Sequence, residues 1–151
     1  MIKVYCEDYD GSFDAVCAAA FKILGLNGEA AVDLEFFDES GMAALNKEFR
    51  GKDKPTDVLS FPMLGGIKEF SRKNYPLNTM ETGEVMLGSI AICPSIAEKE
   101  ANEANLTINA ELCLLFTHGL LHLLGFDHMT RQDGRQMRKL ESLILGKAGE
   151  K

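Results

Sequence analysis

Hydrophobic and polar positions change period several times along this chain, and each change marks a new element. Residues 2–6 alternate as Ile-Lys-Val-Tyr-Cys, which predicts a strand. Asp10-Gly11-Ser12 supplies a turn and a helix cap, after which Phe13, Val16, Cys17, Ala20, Phe21 and Leu24 recur at helical spacing until Gly25 or Gly28 ends the run. Val32, Leu34 and Phe36 alternate with Asp33 and Glu35, the pattern of a half-buried strand. Ser40 is a candidate cap for a short helix through Phe49, with Gly51 as its stop. Residues 56–61 predict a third strand closed by Pro62. Residues 85–93, apolar on both faces, predict a central fourth. Between those two strands, residues 63–82 hold glycine, proline, asparagine and charges, and are expected to form a loop that serves as a mobile cover over a functional site.

The C-terminal half is helical. Ser95-Ile96-Ala97-Glu98 has the form of a capping box opening a helix to about Ala104. Leu106-Thr107 then starts a helix running to Leu124, apolar nearly all round, as befits a central helix in a small fold. Ala110, Cys113, Leu114, Leu121 and Leu124 are expected on its buried side. Thr130-x-x-Asp133 approximates the cap of a last helix that turns Met137, Leu140 and Leu143 or Ile144 inward. With 151 residues, 46% of them hydrophobic and 26% charged, the chain is expected to form a single α+β domain over residues 1–151.

Charge and composition narrow the function classes. No apolar run reaches the roughly 18 residues that a membrane span needs, and the N-terminus turns acidic at Glu7 and Asp8 without a signal-like apolar core. The four cysteines (Cys6, Cys17, Cys93, Cys113) include no Cys-x-x-Cys pair and lie in apolar contexts, so reduced, buried thiols are expected, and with them a cytoplasmic location without a membrane partner. A net charge of −7 weighs against a nucleic-acid partner. The basic residues are clustered, however: Arg50, Lys52 and Lys54; Lys68, Arg72 and Lys73; Arg131, Arg135, Arg138 and Lys139.

All three histidines fall in one run, His118-Gly-Leu-Leu-His122-Leu-Leu-Gly125-Phe-Asp-His128. Two imidazoles four residues apart leave a helix in the same direction, and Gly125 offers the turn that brings back a third. Three neutral nitrogens with one open position are the donor set of a catalytic Zn²⁺, one per chain. Such a site lowers the pKa of bound water from 15.7 to about 7. Asp127 is positioned either to orient a ligand or to hold the turn, and Thr117 either to bond a ligand or to bond back to its own helix. The same spacing occurs in metzincin proteases, which place their glutamate base directly after the first histidine. Here that position is Gly119, which carries no base.

The histidine run resembles the signature of the YbeY family, bacterial zinc-dependent endoribonucleases and rRNA maturation factors. Residues 45–62, with Arg50 and Thr56-Asp57-Val58-Leu59-Ser60-Phe61-Pro62, resemble the family's other signature. The resemblance implies one small, mixed, mostly four-stranded sheet packed with helices, including a metzincin-like zinc helix. It implies His118, His122 and His128 as metal ligands and Arg50 as a residue stabilising phosphate charge. It also implies RNA as substrate, and rRNA and the ribosomal subunit as partners. Asp57 and Ser60 either shape the cleft or pair locally. Many relatives carry an acidic residue where this chain has Ser89. Two other readings stay open: a metzincin-like zinc peptidase with another base, and a non-catalytic ribosome-assembly factor whose structural zinc takes a cysteine, Cys93 foremost, as fourth ligand.

Overall fold

The computed structural model describes residues 1–127 and 129–149. In chain order the elements are β1 (Ile2–Tyr5), α1 (Asp14–Ile23), β2 (Ala30–Phe36), α2 (Glu39–Arg50), β3 (Val58–Pro62), β4 (Val85–Ile92), α3 (Pro94–Ala104), α4 (Ile108–Leu123) and α5 (Arg131–Ala148). The four strands form one sheet in the order β1-β2-β4-β3. β1, β2 and β4 are parallel, and β3 is antiparallel to β4. This is the mixed four-stranded α+β architecture that the resemblance implies.

The sheet buries both faces unequally. One face carries the large core, in which Val4, Val32, Leu34, Ile90 and Ile92 meet Val16, Phe116, Leu120, Leu123 and Ile144 from the helices. Phe13 stacks on Phe116 within it, ring centroids 4.5 Å apart and nearly parallel, an arrangement adding about 0.5–1.5 kcal/mol beyond simple burial. The other face carries a small core of Met42, Leu59, Ala91 and Cys93, covered by α2. At the junction with α4, β4 holds an extra residue: Ala31 pairs with Met86 but Val32 with Gly88. Gly88 has φ +146°, and a Cβ there would stand 2.3 Å from the Phe61 carbonyl oxygen and 2.9 Å from Leu123 Cδ2. Only a glycine lets β3 and α4 approach β4 this closely.

Several local expectations are corrected. Asp38, not Ser40, caps α2, its carboxylate accepting from the Gly41 amide at 2.7 Å. Ser95 does not close a capping box: α3 starts at Pro94 with Cys93 as a cap lacking a side-chain bond. The Ser95 hydroxyl instead donates to Glu39 Oε2 at 2.6 Å and ties α3 to α2. Because the helix starts at Pro94, a residue suited to the first helical position, Ser95 falls inside the first turn and not at the cap. Phe36 ends β2 exposed, bordering a shallow hollow with Phe13 and Leu112 rather than packing into the core. In α5 it is Ile144 that is buried, with Leu143 exposed. Ala110, at the first turn of α4, is exposed rather than buried, and Cys113 and Leu114 are only half-buried. Of the cysteines, Cys17 and Cys93 are buried and Cys6 and Cys113 half-buried, all as free thiols. Burial pushes the Cys17 thiol up to about 12, so it is inert. Among the described residues, no single helix is long and apolar enough to cross a membrane.

Candidate active site

Helix α4 is built to hold two imidazoles still. Thr107 caps it, accepting from the Ala110 amide at 3.1 Å. Its apolar positions Leu115, Phe116, Leu120, Leu121 and Leu123 are all buried. The helix ends where Leu124 and Gly125 turn out, Gly125 with φ +95°, and the Phe126 amide bonds back to the Leu121 carbonyl at 3.0 Å. That bond and the positive φ are those of a Schellman ending, which reverses the chain. Thr117, fully buried, donates to the Cys113 carbonyl at 2.7 Å, so it bonds back to its own helix. Asp127 accepts from the Met129 amide at 3.2 Å and holds the turn.

His118 and His122 point together, Nε2 to Nε2 at 3.2 Å, with their rings at 76°. Two nitrogens each about 2.05 Å from a tetrahedral zinc would be about 3.3 Å apart. The observed pair therefore fits two ligand positions of one ion without rearrangement. His118 Nδ1 lies 2.7 Å from Glu141 Oε1 on α5. That contact leaves Nε2 as the His118 atom directed at the ion's position. His128, the third expected ligand, lies outside the described residues. Among the described residues, no set of three His, Cys, Asp or Glu side chains stands arranged around an ion.

The histidines line a cleft of about 1030 Å³ that also receives Arg50, Lys52, Lys54, Asp57, Ser60, Glu100, Glu111 and Glu141. Arg50 comes from the last turn of α2, which Gly51 closes with φ +71°. The loop after it is fixed by Asn46, a buried residue whose side-chain amide donates to the Lys54 carbonyl at 2.9 Å. Helix α2 thus places Arg50, and the Asn46 hydrogen bond holds the loop that brings Lys52 and Lys54 to the same cleft. Asn46 belongs to the stretch that carries the second resemblance, but its support of the loop is not legible there, because the bond forms only when the loop turns back on α2. The other basic clusters do not join them. Residues 63–82 contribute nothing to the cleft lining. Phe70 pins that segment into the core, bonding the Asn27 carbonyl at 2.8 Å and the Glu29 amide at 3.3 Å. The expected cover over the site is instead a plug at the far end of the sheet, and Arg72 bonds the Met80 carbonyl within it. Arg131, Arg135, Arg138 and Lys139 are exposed on α5 and line no part of the cleft.

Three carboxyls in the cleft escaped the sequence reading as a group. Glu100 is pushed up to about 8, by burial first, then by the charge of Asp57 and by hydrogen bonds to Asp57 and Glu111. It therefore holds its proton at neutral pH, which moderates negative charge in a cleft bordered by cations. Asp57 also accepts from the Val58 amide at 2.7 Å, so it both lines the cleft and pairs locally. Gly119 lies against β4: a Cβ there would meet Ile90 Cγ2, Cδ1 and Cγ1 at 3.1, 3.2 and 3.3 Å. Gly119 also lines the cleft, so the place where a metzincin carries its base is a bare backbone position backed by Ile90. Cys93 lies in the small core under α2, outside the cleft lining. Ser89 also lies away from the cleft, in a hollow of about 310 Å³ with Asp33, Glu35 and Phe61.

Residues 2–149 match the protein family described as Endoribonuclease YbeY. A protein of that name from Agathobacter rectalis is 38% identical over 147 residues, covering 94% of this chain and 89% of its own length. Another from Desulforamulus reducens is 38% identical over 136 residues, covering 90% and 84%. The solution structure of TM1509 from Thermotoga maritima superposes with a TM-score of 0.58 at 28% identity, over 97% of this chain and 90% of that one.

Proposed function

This chain belongs to the YbeY family, and from that premise we propose that it is a zinc-dependent endoribonuclease that hydrolyses RNA phosphodiester bonds during rRNA maturation. The carrying observation is the pair of Nε2 atoms 3.2 Å apart in a cleft that Arg50, Lys52 and Lys54 also line. His118, His122 and His128 hold the ion in this reading. Zinc bound there supplies Lewis-acid charge and acidifies water at neutral pH. Arg50 takes up the charge that develops on the phosphate, with bidentate geometry available to its guanidinium. Lys52 and Lys54 draw the flanking phosphates to the cleft despite the net charge of −7. Ribosomal RNA within a ribosomal subunit, the cytoplasm as location and one domain across residues 1–151 complete the proposal.

The peptidase reading loses support at Gly119, which carries no base and where any side chain would crowd Ile90, its Cβ standing 3.1–3.3 Å from three Ile90 atoms. The structural-zinc reading loses support at Cys93, which packs with Met42 and Leu59 instead of facing the histidines. The deciding experiment compares RNA cleavage and bound metal in wild type, His122→Ala and Arg50→Glu. Wild type is expected to carry about one zinc and to cut, His122→Ala to lose both, and Arg50→Glu to keep zinc while losing cleavage. Zinc-loaded wild type that cuts no better than His122→Ala overturns the proposal.

A further inference from the structure

We propose that Glu141 is the positioning residue for the metal centre, fixing the tautomer and ring angle of His118 from the neighbouring helix. The inference rests on the zinc reading above and concerns a residue in neither signature. His118 is on α4 and Glu141 is on α5, 23 positions later in sequence, yet Oε1 reaches Nδ1 at 2.7 Å. The Glu141 side chain is only 13% exposed and that of His118 33%. A carboxylate so withdrawn from water costs free energy unless a donor compensates it, and the His118 Nδ1–H is that donor.

Several consequences follow from a proton held at Nδ1. The lone pair must lie on Nε2, the atom 3.2 Å from His122 Nε2. Of the two neutral tautomers, only this one presents a ligand toward the partner histidine. Rotation of the ring about χ2 would break the bond to Glu141, so ring orientation is held as well. The negative charge behind the imidazole makes Nε2 a stronger donor to a cation. The bond also joins α4 to α5, and a purely structural clasp would use the same geometry. Metal affinity separates the two roles.

The test measures the zinc dissociation constant by competition with a chromophoric chelator, for wild type, Glu141→Gln and Glu141→Ala. The thermal midpoint of each metal-free protein is measured alongside. Glu141→Gln keeps the shape and a neutral acceptor, so it guards against a variant that merely fails to fold. Positioning predicts zinc binding weakened about tenfold in Glu141→Gln and up to about 100-fold in Glu141→Ala. Metal-free Glu141→Gln is expected to melt with wild type. If wild type binds zinc and both variants bind it equally well, Glu141 is only a clasp and the proposal is overturned, with the zinc reading intact. If wild type itself binds no zinc, both fall together. Loss of affinity that tracks loss of metal-free stability across the two variants also overturns positioning, since packing alone then accounts for it.

Discussion

Replacing Gly119 by alanine tests whether α4 is seated against the sheet as tightly as the contacts imply. An exposed mid-helix glycine would gain about 0.8–1.0 kcal/mol on becoming alanine. Here the new Cβ meets three atoms of Ile90 at 3.1–3.3 Å, each a few tenths of an ångström too close. Two of them, Cγ1 and Cγ2, are bonded to the Ile90 Cβ and move only if χ1 turns or the strand shifts. Neither is easy, because Ile90 is 1% exposed and β4 is hydrogen-bonded on both sides. Overpacking of this kind costs about 1–3 kcal/mol. The net expectation is destabilisation by about 1 kcal/mol, a drop of about 2–4 °C in a chain of this size. In an Ile90→Ala background the obstruction is gone, so the same change should stabilise by up to about 1 kcal/mol. Urea unfolding of the four proteins in the cycle measures both signs and a coupling of about 2 kcal/mol. If Gly119→Ala is neutral or stabilising in the wild-type background and the cycle is additive, the reasoning is wrong, and the exclusion of a glutamate base by packing fails with it.

Gly88→Ala is expected to cost at least about 3 kcal/mol, since it combines a positive φ with a Cβ driven into a strand carbonyl; soluble protein with an unchanged melting midpoint would contradict the close approach of β3 to β4. Asn46→Ala should lose about 1–2 kcal/mol and also weaken RNA binding, measured by filter retention, because the loop bearing Lys52 and Lys54 is released; unchanged binding would separate the loop from the cleft. Removing metal with a chelator should abolish cleavage and added zinc should restore it, whereas cleavage surviving in demonstrably metal-free protein would remove the ion from the mechanism. The Glu100 carboxyl is raised from 4.5 to about 8 in the folded chain, so its contribution to stability is full below about pH 4.5 and is lost as pH rises through about 8. Glu100→Gln cannot ionise, so its melting midpoint should fall less between about pH 5 and 9 and exceed that of wild type at the alkaline end; parallel curves would deny Glu100 its raised pKa.

Legibility in the sequence followed the range of the interaction that carried each feature. The i, i+4 pairing of His118 with His122 on one helix, the Gly125 turn and the cap at Thr130 depend on residues within a few positions of one another, and the structure has each in place. Arg50 was legible because a motif carried it, and the cleft receives it beside both histidines. The capping box at Ser95 failed because the serine found Glu39 across a helix pair, a partner no local pattern announces. The loop over residues 63–82 was read correctly as a loop and placed wrongly, because a single buried ring, Phe70, decided where it docked.

The sequence by itself determined what short spacing and composition can encode: the element types, the convergent pair of imidazoles, the absence of a base at Gly119 and, through its motifs, the family. Only the tertiary structure decided which distant groups share the cleft. Glu141 reached His118 from another helix, Glu100 met Asp57 and Glu111, Asn46 drew in the cationic loop, and Ile90 filled the space beside Gly119. These contacts join positions that no helical or strand period links, and their energies depend on burial and distance. Neither quantity exists until the sheet and helices have packed.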